Sequence, residues 1–412
     1  MAVFVPHVEV EELENITSYN RAYVYAISAV VALGGILFGF DMVIISGTVP
    51  FFTEYFALSE ASTGWAVGCI NLGAAVGALL AGKLSSALGR KNTLLIAAFM
   101  FAVTGVATGW ATSFYFFIVA RLISGVAVGV AALVCPMYIA EVAPASMRGR
   151  LVAFYQLAIV SGLLLAYLSN YLLLDSGINN WRWMFSSQTI PSLLFFAGLF
   201  FVPESPRWLI KKSRINEAIH VLSKIGGHEY ARAEASNIKS SFLLEVKESI
   251  RDLFKTNVKH IVFIGAMVAI FSQAVGQNSL FSYAPVIFQQ AGVAAEEAFF
   301  QSVIIGVVNF IFTFVAIAFI DKIGRRKLLL YGSMLLCLDG LALAFCFYTG
   351  ASGFLILLFV LGFIAIYSAT LGPVTWVILS EIFPNRIRSK RWRWLHFFYG
   401  SLIFSPQLPF QF

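Results

Sequence analysis

Apolar residues in this chain come in long runs, with neither the alternation of a half-buried strand nor the narrow stripe of a soluble helix. A helix needs ~20 apolar residues to cross the hydrocarbon core of a bilayer. Runs of that order lie near 22–48, 63–82, 93–112, 114–139, 150–174, 185–202, 258–288, 299–320, 328–349 and 353–380. The fused stretch 93–139 is twice too long for one helix, so it is divided at Thr112-Ser113. Ten spans are predicted, and the chain reads as an all-α integral membrane protein.

The polar stretches between the runs set an orientation. Lys83, Arg90 and Lys91 fall in one loop, Arg148 and Arg150 in another, and Lys322, Arg325, Arg326 and Lys327 in a third. The long segment 203–257 holds ten Lys or Arg residues. The intervening loops carry Glu54 and Glu60, Asp175 and Arg182, and Glu296 and Glu297. Basic loops stay in the cytoplasm, which puts the N-terminus and the end of the tenth span there. Residues 1–21 are then a cytoplasmic N-terminus and 22–202 a six-helix half. Residues 203–257 form a cytoplasmic loop whose stretches 214–225 and 228–252 suit amphipathic surface helices. A four-helix half, 258–390, and a tail, 391–412, complete the chain.

The two halves echo each other. GKLSSALGRKNTLL (82–95) matches IAFIDKIGRRKLLL (317–330), and AEVAPASMRGR (140–150) matches SEIFPNRIRSK (380–390). The copies share orientation, as expected for duplication of a helix bundle, a construction common in secondary transporters.

Composition agrees. Of 412 residues 59% are hydrophobic and 12% charged, against ~25% charged in soluble domains. The net charge of +7 sits between apolar runs, which argues for loop orientation and against nucleic acid as a partner. The cysteines Cys69, Cys135, Cys337 and Cys346 lie in apolar stretches without a CxxC pair, and no metal site is indicated. The five histidines fall in loops or at membrane edges, and none is spaced as a site. No GxxxxGK[ST] motif is present, so no nucleotide chemistry and no cofactor is expected. Gly125 and Gly129 lie mid-run, where close helix packing explains them better than phosphate binding.

Charge inside an apolar run costs ~2.5–3.5 kcal/mol on the gentlest scale and is a functional signal by default. Asp41 in LFGFDMVIISG and Arg121 in ARLISG are of opposite sign, in the first and fourth runs. Competition between Arg121 and a proton for Asp41 would make a coupling switch; a structural ion pair is the other reading. Asp339 has no evident partner and is assigned no role. Among uncharged groups, Gln156, Gln273, Gln277, Asn278, Asn309 and Trp376 lie within apolar runs. Amides both donate and accept, which suits a polyhydroxylated ligand, and aromatic faces suit the apolar faces of a sugar ring. The alternative for each amide is an interhelical hydrogen bond. Gly276 and Pro285 would let the seventh span bend or break.

Several stretches identify a family. FGFDMVIISG (38–47), LGRK (88–91), ARLISGVAVGVAALVCPMYIAEVAPASMRGRL (120–151), VPESPRWL (202–209), DKIGRR (321–326) and GPVTWVILSEIFPNRIR (372–388) resemble the sugar porters of the major facilitator superfamily, above all bacterial D-xylose–proton symporters. The resemblance covers roughly residues 20–390. It implies two six-helix halves, a central site open alternately to each side of the plasma membrane, and proton-coupled uptake of a pentose or hexose without enzymatic chemistry. It implies that Phe38, Gln156, Gln273, Asn278, Asn309, Gly372 and Trp376 face the sugar, that Asp41 takes the proton, and that Arg121 modulates it. Family members that only facilitate diffusion usually have a neutral residue at Asp41, so the acid favours symport. Arg90, Glu141, Arg148, Arg325, Glu381 and Arg388 resemble the family's cytoplasmic charge network, which latches the halves together. The working unit is expected to be a monomer in the lipid bilayer.

Departures from the family pattern narrow this. Leu163, Ser272 and Ser282 stand where sugar-facing Gln, Gln and Tyr are expected, so the particular monosaccharide or polyol stays open. Ser86 replaces a common Asp. After Lys390 the sequence RWRWLHFFYGSLIFSPQLPFQF does not resemble the family's eleventh and twelfth helices, so a truncated or frameshifted end is expected, with about ten of twelve helices present. An inactive product of a disrupted gene and a non-transporting sugar sensor are the alternative readings.

Overall fold

The computed structural model describes residues 19–244 and 256–381. Among them, α1 (Arg21–Tyr55), α2 (Glu60–Leu88), α3 (Arg90–Gly109), α4 (Phe114–Val142) and α5 (Ala145–Leu172) run up and down in turn. The helices α6 (Asn180–Ser187) and α7 (Thr189–Phe201) close a first bundle. Two connecting helices follow, α8 (Pro206–Lys211) and α9 (Ile215–Leu244). The second bundle is α10 (Thr256–Ala274), α11 (Gln277–Gln290), α12 (Ala295–Ile323), α13 (Arg325–Tyr348), α14 (Gly353–Ala369) and α15 (Leu371–Glu381). The tail after Glu381, with Arg388, lies outside the described residues.

Nine helical stretches among the described residues are long and apolar enough to cross a membrane, as an all-α bundle in lipid requires. Three of their starts carry side-chain caps. Asn20, Ser59 and Ser113 accept from the backbone N–H groups of Tyr23, Ser62 and Phe116.

Three of the apolar runs are interrupted, for two reasons. The run 258–288 is two helices, α10 and α11, parted at Gly276, whose φ of +87° favours glycine. The runs ending near 202 and 380 break where proline dictates. Proline has no N–H and clashes with the carbonyl four residues earlier. Accordingly α6 ends at Ser187, four before Pro191, and α14 ends at Ala369, four before Pro373. Only the break near Gly276 was expected. The connecting segment forms α9, which is two helices across a kink at Gly226 and Gly227.

The internal repeat is visible in the backbone. Gly89 (φ +96°, ψ 166°) and Gly324 (φ +89°, ψ 144°) each stand between two antiparallel helices at corresponding places. Gly125 and Gly129 of α4 face Gly73 and Gly77 of α2 so closely that an added Cβ on any of them would strike the other helix's backbone. That is small-residue packing in place of a hydrophobic drive.

The bundles meet through α1 against α11 and α5 against α12. One apolar core lies at the end carrying the basic loops. It draws on the first bundle and on α8–α9, with Val24, Leu94, Tyr138, Met147, Trp208 and Leu222, and includes no described residue of α10–α15. The other core lies toward the opposite end and joins the bundles, with Phe52, Phe117 and Tyr167 beside Phe281, Phe288 and Phe299. The rings of Phe51 and Phe299 (6.5 Å between centroids) and of Tyr171 and Phe300 (5.8 Å) seal that far end.

Candidate functional site

Asp41 and Arg121 meet in the middle of the first bundle. Asp41 on α1 is 0% exposed and Arg121 on α4 is 1% exposed. Arg121 Nη1 donates to Asp41 Oδ1 at 2.6 Å. Ser124, one turn along α4, donates to Asp41 Oδ2. The other guanidinium nitrogens, Nε and Nη2, have no hydrogen-bond partner among the described residues, and the group lies 5.7 Å from the Phe185 ring. Leaving one partner of such a buried pair alone costs ~3–5 kcal/mol. A pair so dry can respond to one thing cheaply available, a proton that neutralises the carboxylate.

The amides gather at the helix breaks. Gln273 ends α10 and Asn278 begins α11, and across Gly276 the Asn278 Nδ2 donates to Gln273 Oε1 at 2.8 Å. Asn309 of α12 is buried, and its Oδ1 accepts from Ser368 at 2.5 Å in the last turn of α14, beside the second break. Broken helices thus hold the amide pairs, the arrangement by which membrane transporters line binding sites. Gln277 is half-buried on α11, and Phe38 and Gln156 are half-buried on α1 and α5. Gln156 makes no hydrogen bond among the described residues, so its amide is available to a ligand or water. Gly372 is the second residue of α15, where an added Cβ would crowd the Tyr367 ring. The side chain of Trp376 lies outside the described ones. Leu163, Ser272 and Ser282 are buried.

A hydrogen bond crosses between the bundles at the far end. Pro285 lies inside α11 and cannot donate to the carbonyl of Phe281. Tyr167 Oη of α5 donates to that freed carbonyl at 2.9 Å.

At the basic end, Arg90 Nε and Nη2 bind Glu141 at 2.9 and 2.7 Å. Ser205 Oγ donates to the same carboxylate at 2.5 Å. Glu204 accepts from the backbone N–H of Arg90 (2.9 Å) and of Lys91, placing negative charge on the N-terminus of α3. Burial pushes the Glu204 carboxyl above its ordinary range, against the pull of those N–H groups and of Arg90. Of the remaining expected members of this network, Arg148 reaches, among the described residues, the Ala143 carbonyl at 3.4 Å. Arg325 starts α13, and Glu381 ends α15 with its side chain outside the described ones. The hydrogen bonds of Arg90, Glu141, Glu204 and Ser205 join segments of the first bundle and α8. Asp339 Oδ2, on α13, has no hydrogen-bond partner among the described residues.

Sequence reasoning missed Ser124, Ser368, Tyr167, Glu204 and Ser205. Two left signals. Ser124 is three residues after Arg121, hence on one helical face with it, and Glu204 and Ser205 stand in the PESPR stretch quoted for its resemblance alone.

Comparison with known proteins gives a consistent picture. The family described as "Sugar (and other) transporter" matches residues 27–393. The D-xylose-proton symporter of Escherichia coli K12 is 39% identical over 407 residues, covering 91% of this chain and 82% of its own length. The arabinose-proton symporter of Bacillus subtilis is 36% identical over 380 residues, covering 90% and 82%. Among solved structures, the partially occluded inward-open conformation of the E. coli xylose transporter superposes with a TM-score of 0.85 at 35% identity, covering 94% of this chain and 91% of that one. Its inward-open conformation gives 0.83 at 36% identity, covering 94% and 90%.

Proposed function

The chain belongs to the sugar (and other) transporter family of the major facilitator superfamily, and on that premise we propose that it carries one monosaccharide and one proton into the cell by alternating access. It is a multi-pass plasma-membrane transporter and not an enzyme. The N-terminus and the basic loops are cytoplasmic, as the charge distribution argues. With that orientation the sealed far end is external, and the state described is inward-facing.

The observation that carries the coupling is the buried Asp41–Arg121 pair. Asp41 binds the proton, and Arg121 is the partner the proton displaces. The sugar is held by Gln156, Gln273, Gln277, Asn278 and Asn309 with Phe38, Gly372 and Trp376. Their amides answer hydroxyl groups that both donate and accept. A pentose or hexose is the substrate class. The symport activities in the names of the relatives, D-xylose and arabinose among them, support that class without fixing the member. Arg90 and Glu141 with Arg148, and Arg325, Glu381 and Arg388 from the second half, form the cytoplasmic charges that rearrange between states.

The test is uptake by the protein in liposomes under an inward proton gradient, with a panel of labelled pentoses and hexoses. Accumulation above the external concentration is expected for at least one sugar. Asp41→Asn should abolish accumulation while exchange of labelled for unlabelled sugar continues. Accumulation at the wild-type level in Asp41→Asn would remove Asp41 from the coupling.

A further inference from the structure

Hydroxyl side chains in these spans commonly turn back onto their own helix. Thr104, Ser161, Ser192, Ser302 and Ser333 each donate to the carbonyl four residues earlier. Such back-bonding is a common arrangement for Ser and Thr in a helix. Ser124 departs from it. It is 2% exposed on α4, and its single proton goes to Asp41 Oδ2 on another helix. Arg121 holds Oδ1 of the same carboxylate. The two oxygens therefore have separate keepers, one charged and one neutral.

We propose that Ser124 is a positioning residue of the proton step, a fixed tether that holds the Asp41 carboxyl in one orientation whether or not it carries the proton. The proposal rests on the reading of Asp41 as the proton site. A proton from water that bonds to Oδ1 takes the lone pair Arg121 uses and cancels the charge that holds it. Arg121 stays protonated, as Arg does in proteins, so the group passes from neutral to a net charge of plus one. Oδ2 is then the carbonyl oxygen of the acid and still accepts from Ser124. Arg121 is exchanged for the proton, and Ser124 is not.

Few other groups face the pair. On α2 the Cys69 thiol is close enough to feel both charges. Apart from the phenol of Tyr283, α7 and α11 carry no acid or base. Arg148, Arg150 and Arg182 stand in the opening turns of α5 and α6. A hydroxyl bonds more strongly to a carboxylate than to its acid, so Ser124 also helps set the pH at which the proton is taken.

The experiment is the pH dependence of gradient-driven sugar accumulation in liposomes, with exchange at equal pH on both sides as the check that each variant folds. Ser124→Ala should move the midpoint of the profile about one unit to higher pH, and Ser124→Thr should bring it back. Should Ser124→Ala lose exchange, Ser124→Cys carries the test, with a smaller shift in the same direction. An unmoved midpoint in an exchange-competent Ser124→Ala protein overturns the tether. Asp41→Asn is assayed beside it. If that variant still accumulates sugar, the reading of Asp41 falls as well; if it does not, an unmoved Ser124→Ala profile refutes Ser124 alone.

Discussion

Tyr167→Phe removes a single hydroxyl and should open the far end of the bundle, external in the orientation proposed. The phenol donates at 2.9 Å to the Phe281 carbonyl, which Pro285 leaves without its usual helical donor. The ring is 1% exposed and stays in place in the variant. What is lost is the side-chain donor to a buried carbonyl, at ~1–3 kcal/mol. The loss falls on the state in which the halves meet at this end. When they part, the carbonyl meets water and nothing is missing. The ratio of externally open to externally closed protein should therefore rise about five- to a hundred-fold, at ~1.4 kcal/mol per decade. The reporter is the distance distribution between spin labels at Ile178 and Glu296, exposed sites at the far end on opposite halves. Cys337, the exposed cysteine among the four, is replaced first. The longer-distance population should grow in Tyr167→Phe. Pro285→Ala restores an N–H four residues after Phe281, so adding Tyr167→Phe to that background should change little, a coupling a double-mutant cycle measures directly. An unchanged distribution in Tyr167→Phe, or an equal shift in both backgrounds, would refute the reasoning.

Other consequences are open to direct measurement. Gln273→Ala removes the acceptor of Asn278 and one arm of the proposed sugar site, and sugar affinity should fall about five- to a hundred-fold by the same range; unchanged affinity for every sugar tested would make the pair a helix clasp only. Gly129→Leu would drive a side chain into the backbone of α2, and the purified protein should lose its folded fraction in detergent, which size-exclusion chromatography reads. Glu204 is held above its ordinary range by burial, so the folded state favours its protonated form. Its contribution is full below the ordinary carboxylate range and fades as pH rises through the raised value. Glu204→Gln, which keeps an acceptor without the charge, should flatten that part of the melting-temperature profile, and an identical profile would contradict it.

How much could be read from sequence follows from the kind of information each feature needs. Spans are legible because hydrocarbon demands continuous apolar length, and the Asp41–Arg121 pair because charge stands out within it. Gly276 was legible because glycine marks backbone that other residues avoid. The break at Thr370 was not, since hydropathy sees an unbroken run through Gly372-Pro373 and is blind to a missing N–H. Ser124 and Tyr167 were missed for a further reason. Each acts on a helix distant in sequence, and a local pattern does not name the partner. Nor does a sequence show which end of the bundle is sealed, because both arrangements of the halves are built from the same helices.

The central claim is that sugar and proton move together through Asp41. It is tested most directly by following pH inside protein-containing vesicles that start with no gradient. Addition of a transported pentose or hexose outside should acidify the interior, with one proton entering per sugar, and Asp41→Asn vesicles should admit labelled sugar with no change of pH. Sugar entry without proton movement in the unaltered protein would contradict the account.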